Sequence, residues 1–570
     1  MENSEIADIF DRIGDLLELQ KENTFKVRSY RNAARTIRDL SRRLEDMVNE
    51  GRDLTKLPNI GKSVAGKIEE IMETGTVKRL QELEKEVPDG LIRIMNVPGL
   101  GPRKAMQLYK ELGVESLEEL KDACEKQKVR SLEGMGPKTE ENILKGIETL
   151  RSYTGRMLYH DAKGFVNSLK RHLEKISEIS RYEVSGSFRR RKETVGDLDI
   201  LVQAKDRDKA LEKVLSYSEI GDIQSRGSEK STVVLKNGLQ VDFRFFDPQS
   251  FGAALCYFTG SKAHNIVLRK RAQDKDWKLN EYGLWKDDTL LAGKSEEELY
   301  KKFSLNWIPP ELREDRGEIE ASEEDRLPEL IELSDIRGDL HCHTKATDGA
   351  GSIKEMVEAA RQKGHRYLAI TDHSKMVSVA NGLDEERLKK HADDIRQADN
   401  DTKDIRVFAG IEVDILKDGR LDLDEKALAE LDWVVASVHF YQNLEEKKMT
   451  ERIVAAVNSG LVHSLGHPLC RIIGSRDPIK VDMDKVFAAC KENNVILEIN
   501  SQPDRLDLPD TYCRQALDEG LLFHISTDAH SVAGLDLIEL GVGVARRGWL
   551  SEKEVINTRT VKQLEKILAR

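Results

Sequence analysis

Three aspartates in the first half of the chain could together hold divalent cations. Asp197 and Asp199 lie two residues apart in an apolar run that predicts a strand, so their side chains share one face. Asp242 lies in a second such run and completes a cluster of carboxylates. These carboxylates would repel one another without cations, and Mg²⁺ favours oxygen ligands together with substrate phosphates. We therefore predict a site for two Mg²⁺ or Mn²⁺ ions and in-line displacement at a nucleoside triphosphate.

The segment that precedes these aspartates, from Gly186 to Gly196, contains groups that bind phosphate. Gly186 and Ser187 offer backbone groups and a hydroxyl to the β and γ phosphates, and Arg190 would neutralise them. An isolated Asp-x-Asp pair is most often a solvated strand end. Its combination with a Gly-Ser pair and a third aspartate is much more specific, and it indicates a nucleotidyltransferase.

Most of the 13 histidines lie beyond residue 338, many of them at the ends of predicted strands. His341 and His343 share one face of a strand and can bind one ion. A lone histidine is more often a core or surface residue than a ligand, which could hold for His365, His391, His463 and His524. Nine residues are candidate ligands: His341, His343, Asp348, His373, Glu412, His439, His467, Asp528 and His530. Such mixed ligands suit Mn²⁺, Zn²⁺ or Fe, and the spacing does not choose among them.

A short glycine motif recurs three times within residues 1–150, each time between amphipathic stretches. A helix-hairpin-helix needs such a turn, because N–H groups at the second helix's N-terminus then face a DNA phosphate. One copy could equally be a connector without a ligand, but three copies followed by basic residues favour DNA. Contacts of this kind predict salt-dependent, sequence-independent binding. The residues predicted to bind DNA are Gly61, Gly99, Gly101, Lys104, Gly134, Gly136 and Lys138.

The bulk composition limits the class of protein. A chain of 570 residues exceeds what one hydrophobic core organises, so several domains are expected. We find no apolar run long enough to cross a bilayer and no secretory signal, which favours the cytoplasm. The 6 cysteines form no C-x-x-C pair, so free buried thiols are expected. The net charge of −12 does not exclude nucleic acid, because binding depends on the local field.

The pattern of predicted elements changes twice along the chain. Short apolar runs between about 180 and 247 predict a mixed α/β domain. The segment from about 308 to 335 is broken by prolines and highly charged, and we interpret it as an interdomain linker. Beyond it, strands alternate with helices, which is typical of a β/α barrel with its active site at the strand ends.

On these motifs the chain resembles the bacterial and archaeal family X DNA polymerases, which are similar to polymerase beta, with a PHP domain attached. The run YFTGS at 257–261 and two residues after it match the thumb of that family. The resemblance implies that Tyr257, Phe258 and Gly260 line the sugar pocket. It also implies that Asn265 contacts the base of the incoming nucleotide and that Arg269 contacts the template strand.

The same resemblance implies roles for Asp242, Arg244 and Lys67. Asp242 would deprotonate or orient the primer 3′ hydroxyl, and Arg244 would tune the aspartates. Lys67 stands where polymerase beta has its Schiff-base lysine, and an upstream segment with Lys26, Tyr30 and Arg31 matches too. Ser63 stands where polymerase beta carries another active-site lysine. Lys67 could therefore be a solvated helix lysine or a phosphate contact instead of a lyase nucleophile.

The resemblance to PHP phosphoesterases arranges the nine ligands around up to three ions. It implies one ion on His341, His343, Glu412 and Asp528, a second on Glu412, His439 and His467, and a third on Asp348, His373 and His530. Glu412 would then bridge two ions, and ions so close can share a hydroxide and clamp a phosphate. Arg505 is either a phosphate contact or part of a surface salt bridge.

The resemblance covers nearly the whole chain and implies a multidomain fold: an all-α helix-hairpin-helix region, an α/β palm and thumb, and a distorted (β/α)7-type PHP barrel. The expected domains are a lyase-like domain 1–84, a DNA-binding domain 85–150, a palm 151–247, a thumb 248–316, a linker 317–336 and a PHP phosphoesterase 337–570.

The implied function is a monomeric DNA polymerase that uses deoxynucleoside triphosphates on gapped or primer-template DNA in base excision repair. A 3′-5′ exonuclease is implied for the PHP domain, with AP endonuclease activity open. Two alternatives remain. The PHP domain could be a small-molecule phosphatase, such as one acting on histidinol phosphate, or the chain could be a DNA-binding scaffold with inactive sites. The complete sets of aspartates and PHP ligands argue against the scaffold.

Overall fold

The computed structural model describes residues 3–20, 22–38, 44–49, 51–57, 59–86, 90–95, 97, 100, 102–152, 156–473 and 476–569. It divides into two compact units, Met1–Arg156 with Lys236–Gly238, and Met157–Leu235 with Leu239–Arg570. Within the described ranges, no helix has both the length and the apolar character needed to cross a membrane.

The first unit consists of helices and short turns in its described part. On α1, the residues Ile6, Phe10, Ile13 and Leu17 recur at helical spacing and are all buried. They belong to one core that extends to Ile147, so the predicted helix-hairpin-helix segments share a single hydrophobic interior. The helices are α1 (Asn3–Leu19), α2 (Thr24–Arg38), α3 (Leu44–Asn49), α4 (Lys62–Thr74), α5 (Lys78–Glu86), α6 (Gly90–Met95), α7 (Pro102–Leu112), α8 (Leu117–Glu125) and α9 (Pro137–Ser152).

The palm is a mixed sheet covered by helices. Its elements are β1 (Met157–Leu158), α10 (Tyr159–Leu173), β2 (Ile179–Val184), α11 (Gly186–Arg189), β3 (Thr194–Val195), β4 (Asp197–Ala204), α12 (Arg207–Leu215), β5 (Ile220–Ser225), β6 (Lys230–Leu235) and β7 (Gln240–Phe245). The strand order is β2-β4-β7-β6-β5, and only β4 and β7 run parallel. Leu198, Ile200 and Val202 of β4 join the core. Asp197 and Asp199 alternate with them and so face the opposite side of the sheet.

The thumb follows, with α13 (Phe251–Thr259), α14 (Lys262–Gln273), β8 (Lys278–Asn280), β9 (Gly283–Lys286), β10 (Thr289–Ala292) and α15 (Glu296–Lys302). The segment interpreted as a linker is more ordered than its composition indicates. It forms α16 (Glu318–Glu323), and Ile319 and Ala321 join the core of the thumb. Glu318 is also buried and accepts a hydrogen bond from His264 Nδ1 at 2.7 Å. A few apolar residues among the charges therefore attach this segment to the thumb.

The C-terminal half confirms the predicted barrel of seven strands. In the described residues, β11 to β17 are parallel and follow one another in sequence order around the sheet. A parallel bridge between Cys342 and Ala529 brings the two edges together. The strands are β11 (Gly338–Asp339), β12 (Tyr367–Ile370), β13 (Arg406–Asp414), β14 (Trp433–Ser437), β15 (Ser464–Leu465), β16 (Ile496–Asn500) and β17 (Phe523–Ser526).

The helices of this half alternate with its strands. They are α17 (Ile353–Gln362), α18 (Glu385–Asp401), α19 (Glu425–Ala429), α20 (Glu446–Val457), α21 (Met483–Asn493), α22 (Asp510–Asp518), α23 (Ile538–Arg547) and α24 (Val561–Leu568). The candidate ligands follow the carboxyl ends of the strands, which is where barrels place their active sites.

All six cysteines are free and buried, as their spacing predicts. Burial raises the pKa of the Cys490 thiol to about 12. A thiol in this state is a poor nucleophile, so this cysteine contributes packing.

Candidate catalytic and metal sites

The register of β4 and β7 brings the predicted carboxylates together, with Asp199 opposite Asp242. Arg244 bridges them, because its Nε donates to Asp199 Oδ1 and its Nη2 donates to Asp242 Oδ2, each at 2.8 Å. Two residues that sequence reasoning missed complete the site. Lys230 Nζ lies 2.7 Å from Asp242 Oδ2, and the Thr232 hydroxyl donates to Asp242 Oδ1 at 2.7 Å. The Asp242 carboxylate therefore contacts three groups, those of Arg244, Lys230 and Thr232.

The three aspartates differ in exposure, with Asp197 exposed, Asp199 half-buried and Asp242 buried. Burial is the main cause that raises the pKa of Asp199 above its ordinary value, with added repulsion from Asp197 and Asp242 and opposition from Arg244. A cation bound between these groups would relieve both the repulsion and the desolvation. The residues present thus fit divalent metal ions.

The predicted phosphate cradle begins at a glycine that the backbone requires. Gly186 has φ of +69°, a conformation that L side chains rarely adopt. It starts α11, and Ser187 is the second residue of that helix. An ideal Cβ on Gly186 would lie 4.0 Å from Asp199 Oδ2, so the glycine keeps the turn close to the carboxylates. Gly196 immediately precedes β4, which begins at Asp197.

Arg190 is already paired, although the sequence indicated a cation free to meet phosphate. Its Nε donates to Glu314 Oε1 at 3.0 Å, and its Nη1 donates to the Thr259 carbonyl at 2.5 Å. Gly260 follows with φ of +68°, and an ideal Cβ there would lie 3.3 Å from Arg190 Nη1. Arg190 therefore joins the palm to the start of the thumb, and any phosphate contact would be made from this position.

The thumb residues named by the resemblance form a connected group. The Arg244 guanidinium lies 4.3 Å from the centroid of the Phe258 ring, a cation–π contact beside the carboxylates. Asn265 Nδ2 donates to the Tyr257 carbonyl at 2.6 Å, and Arg269 Nε donates to the Asn265 carbonyl at 3.3 Å. Hydrogen bonds thus connect Asn265 to both Tyr257 and Arg269. Phe258 packs against Arg244, the arginine that binds the aspartates.

In the first unit, Lys67 lies on α4 beside two residues of interest. Its Nζ donates to Ser63 Oγ at 2.9 Å and lies 5.8 Å from the centroid of the Tyr30 ring. Lys26 and Arg31 instead pair with acidic neighbours, Lys26 with Glu22 at 3.1 Å. The structure therefore brings together Lys67 and Tyr30.

Two of the described helix-hairpin-helix glycines stand at helix starts, and Gly134 lies in the turn before α9. Gly61 is the N-cap of α4, and Gly136 directly precedes α9. Gly134 has φ of +74°, and among the described residues no atom beyond the adjoining chain lies within 4 Å of an ideal Cβ on any of these three glycines. Lys104 and Lys138 lie in the first turns of α7 and α9. Two predicted positions, Gly99 and Gly101, lie outside the described residues.

In the barrel, four of the nine predicted ligands converge. His341 Nε2 and His343 Nε2 are 3.2 Å apart, and Asp528 Oδ1 lies 3.0 Å from His343 Nε2. Glu412 Oε2 lies 3.6 Å from His341 Nε2 and 3.7 Å from His343 Nε2. Donor atoms directed at one point in this way are typical of ligands that share a cation.

The remaining ligands adjoin this group and share members with it. Two further sets could each hold an ion: His343, Asp348, His373 and His530 in one, and His373, Glu412 and His439 in the other. His467 Nε2 lies 2.9 Å from Glu412 Oε1, and His373 Nδ1 lies 2.8 Å from Glu412 Oε2. Glu412 is thus central, as the resemblance implies. His373 also approaches Glu412, whereas the resemblance groups it only with Asp348 and His530.

Unsatisfied and charged atoms in this cluster fit a metal centre. The buried Nδ1 of His343 has no hydrogen-bond partner in the described part of the chain. Burial opposes ionisation of Glu412 and Asp528, but surrounding imidazoles hold the pKa of both carboxyls well below their ordinary values. Ionised carboxylates and imidazole nitrogens form the mixed donor set that divalent transition metals accept.

A second layer of carboxylates, which sequence reasoning missed, orients the ligands. His341 Nδ1 donates to Glu498 Oε1 at 2.6 Å, and His439 Nδ1 donates to Asp414 Oδ2 at 3.2 Å. Such pairs fix the tautomer that leaves Nε2 to the metal. Ser526 also donates to Glu498 Oε1, at 2.5 Å. The available signal was an acidic residue within an apolar strand, since Glu498 lies inside β16 and Asp414 ends β13.

The histidines interpreted as core or surface residues lie outside these metal groups. His391 Nε2 lies 2.8 Å from Asp372 Oδ2, and Asp372 also accepts from the Thr344 amide at 2.9 Å. His463 Nδ1 accepts from the Val434 amide at 3.1 Å. His365 and His524 are buried, and burial lowers the pKa of each to about 4. Of these, His391 supports the loop that carries Asp348.

Comparisons with known proteins cover the whole chain. The matching family models are described as DNA polymerase beta palm (156–244), DNA polymerase beta thumb (254–314), PHP domain (339–502), helix-hairpin-helix domain (1–77) and SAM-like helix-hairpin-helix tandem (91–149). The chain is 38% identical over 577 residues to DNA polymerase/3′-5′ exonuclease PolX of Bacillus subtilis, with 100% of both chains covered. The chain belongs to the family X DNA polymerases that carry a PHP domain.

Part of this family X chain also has relatives of its own. A probable phosphatase of Thermoanaerobacter sp. is 29% identical over 232 residues, which cover 39% of this chain and 89% of that protein. A probable phosphatase of Aliivibrio fischeri is 27% identical over 244 residues, which cover 41% of this chain and 93% of that protein. In both relatives the matched segment makes up almost the entire protein.

Replacing Glu498 with glutamine should weaken metal binding at the PHP centre by about 10- to 100-fold, the usual effect of losing such a supporting group. Glutamine keeps the size of the side chain but removes the negative charge that holds the His341 Nδ1 proton. The measurement is a calorimetric titration of the metal-free protein with Mn²⁺. Glu565→Gln, on the surface helix α24, is the matched control. Equal affinities for the two variants would contradict a role for Glu498 at the metal centre.

Proposed function

We propose that this protein extends DNA primers at the palm and degrades DNA from 3′ ends at the PHP centre. The observation that carries the first activity is the β4–β7 pairing, with Asp199 opposite Asp242 and Arg244 between them. Full-length similarity to a protein named as a DNA polymerase and 3′-5′ exonuclease supports both activities. Gap filling during base excision repair is the use that we propose for them.

At the palm, Asp197, Asp199 and Asp242 would hold two Mg²⁺ or Mn²⁺ ions. Bound there, the ions would stabilise the charge that develops on the transferred phosphoryl group. Asp242 orients the primer 3′ hydroxyl, and Arg244 keeps the carboxylates in place. Gly186 and Ser187 present their N–H groups and hydroxyl to the triphosphate, with Gly196 shaping the strand start. The remaining nucleotide contacts that we propose are Arg190 at the phosphates, Tyr257, Phe258 and Gly260 at the sugar, Asn265 at the base and Arg269 at the template.

At the PHP centre, the nine ligands would hold up to three ions, with Mn²⁺, Zn²⁺ and Fe as candidates. Bound ions would activate a water molecule and clamp the phosphate that is cleaved. Arg505 is half-buried, and its pKa is raised by Asp528 and other acidic groups against the opposing effect of burial. Asp528 and Glu412 of the ligand cluster are among the charges that act on Arg505, which supports a phosphate contact over a surface salt bridge.

A phosphatase acting on small phosphomonoesters is the second candidate for the PHP centre, because relatives of this half are named as probable phosphatases. The two candidates differ in their product. The full chain would be incubated with a 3′-labelled primer and, separately, with histidinol phosphate. Release of labelled nucleoside monophosphate supports the exonuclease. Phosphate release from the small ester, with an intact primer, would overturn it.

Lys67 is the residue that we propose for a 5′-deoxyribose-phosphate lyase, supported by its position beside Tyr30. A lysine nucleophile forms a Schiff base that borohydride reduces to a stable adduct. The wild-type protein should therefore be trapped on incised abasic DNA, and Lys67→Ala should lose about 100-fold or more of the adduct. Lys62→Ala, on the same helix, should trap normally. Equal trapping by both variants would assign Lys67 to the solvated surface of α4.

DNA contacts in the first unit are proposed for the glycine turns and for Lys104 and Lys138. Their support is the position at helix N-termini, which attract phosphate, together with the helix-hairpin-helix matches. Cleavage of DNA at abasic sites is a further use that we propose for the PHP metal centre, the same site that we propose for the exonuclease.

A further inference from the structure

The PHP domain holds the palm loop, residues 190–193, at two points. This loop connects the phosphate cradle on α11 to β3. Arg547, the last residue of α23, donates from Nη1 to the Arg190 carbonyl at 2.7 Å. Arg471, in the barrel loop after His467, donates from Nη2 to Glu193 Oε2 at 2.7 Å. Each end of the palm loop is therefore tied to the barrel.

The contact at Arg547 is buried, and both Nη atoms of its guanidinium are paired. The Arg547 side chain is 3% exposed, and that of Glu314 is 7% exposed. Arg547 Nη1 also donates to Glu314 Oε1 at 3.0 Å, and its Nη2 donates to Asp510 Oδ2 at 2.7 Å. A buried guanidinium must direct its donors at fixed partners. Such a contact therefore fixes the relative position of the groups that it joins more than it stabilises the fold.

The same carboxylate oxygen connects this contact to the nucleotide site. Glu314 Oε1 accepts from Arg547 and also from Arg190 Nε, the arginine assigned to the triphosphate. Helix α23 packs closely here, since an ideal Cβ on Gly543 would lie 3.3 Å from Arg191 Cδ. Arg547 of the PHP domain thus contacts the Arg190 backbone directly and the Arg190 side chain through Glu314.

We propose that α23 of the PHP domain positions the nucleotide-binding loop of the polymerase, with Arg547 as the positioning residue. The inference rests on the proposed polymerase function. Its physical basis is that incorporation requires Arg190 within hydrogen-bond reach of the phosphates, and a small displacement of a positioning group costs much of its effect. The PHP domain is then part of the polymerase as well as a second enzyme.

The test is steady-state incorporation of one nucleotide by the full chain. Arg547→Met keeps much of the volume of the side chain and removes its donors. We expect KM for the deoxynucleoside triphosphate to rise about 10-fold or more, as loss of charge-assisted hydrogen bonds predicts, with a smaller change in kcat. Arg547→Lys keeps the charge but not the fork of donors, so its KM should lie between those of Arg547→Met and the wild type.

Lys163→Met is the matched control. Lys163 pairs with Glu539, so it also joins the palm to α23, but none of the described hydrogen bonds or ion pairs joins it to the palm loop. Its KM should equal that of the wild type. A wild-type KM for Arg547→Met, or an equal rise in both variants, would overturn the inference.

If thermal melting shows that Arg547→Met does not fold, Glu193→Gln decides, because it weakens the other tie, in which the half-buried Glu193 accepts from the buried Arg471. A raised KM supports the positioning role, and an unchanged KM overturns it. Failure of the proposed function itself looks different, since the wild-type protein would then incorporate no nucleotide at all.

Discussion

Replacing Asp197 and Asp199 together with alanine should reduce primer extension by at least about 1000-fold, since metal stabilisation is worth several kcal/mol and each 1.36 kcal/mol is tenfold. The variant loses two of the three carboxylates that would hold the ions. Arg244 keeps only Asp242, and it would then place a positive charge where a cation should bind. Degradation of primer ends should be unchanged, because none of the nine PHP ligands is altered. The measurement is the rate of single-nucleotide addition to a labelled primer.

The fold should tolerate this pair of substitutions. Asp197 is exposed and Asp199 half-buried, and the apolar side of β4, with Ile200, stays intact. Asp208→Ala, an exposed aspartate on α12, controls for loss of a palm carboxylate away from the site. Extension at the wild-type rate by the double variant, with Mg²⁺ present, would contradict assignment of the polymerase chemistry to this cluster.

Replacing His341 and His343 together with alanine should give the reverse result. Degradation of 3′ ends should fall by at least about 1000-fold, again because loss of the bound ions removes several kcal/mol of transition-state stabilisation. Primer extension should persist, since both residues lie inside the barrel and neither contacts the palm loop. The measurement is release of nucleoside monophosphate in Mn²⁺, with bound metal determined by elemental analysis of the same preparation.

His160→Ala is the control for this pair, because His160 is an exposed histidine on α10 of the palm. The double variant removes His341, which lowers the pKa of both Glu412 and Asp528, and His343, which lowers that of Asp528, so some loss of thermal stability is also expected. Loss of both activities in a variant that melts like the wild type would refute separate sites.

Local periodicity explains why the sequence predicted the catalytic clusters. Asp197 and Asp199 alternate with buried apolar residues on one strand, and that alternation is visible in the sequence. The PHP ligands end short apolar runs, and parallel strands of a barrel bring their ends together. The barrel itself was predicted for the same reason, because strands and helices alternate regularly along the second half.

Contacts between distant segments could not be predicted in this way. Thr232 and Lys230 reach Asp242 only through the register of β6 against β7, which the sequence does not reveal. Glu314 lies between Arg190 and Arg547, residues separated by hundreds of positions in the chain. The segment 317–336 was interpreted as a linker because its charges outnumber the few apolar residues that attach it to the thumb.

These contacts show that the two catalytic halves are not structurally independent. Chemistry is assigned to two separate sets of side chains, so each double variant should lose one activity. The position of the palm loop, however, depends on the PHP domain, since α23 holds that loop. A chemical defect at the PHP centre should leave extension intact, whereas loss of Arg547 should raise the KM for nucleotide without harming the PHP ligands.

One assay tests the central claim that a single chain carries a polymerase site and a separate 3′-end nuclease site. A gapped DNA with a 5′-labelled primer is incubated with Mg²⁺ or Mn²⁺, with and without nucleotides, and products longer and shorter than the primer are read on one gel. The wild-type protein should give both, Asp197→Ala with Asp199→Ala only shorter products, and His341→Ala with His343→Ala only longer ones. Absence of longer products for the wild type, or loss of both product classes in either folded variant, would contradict the account.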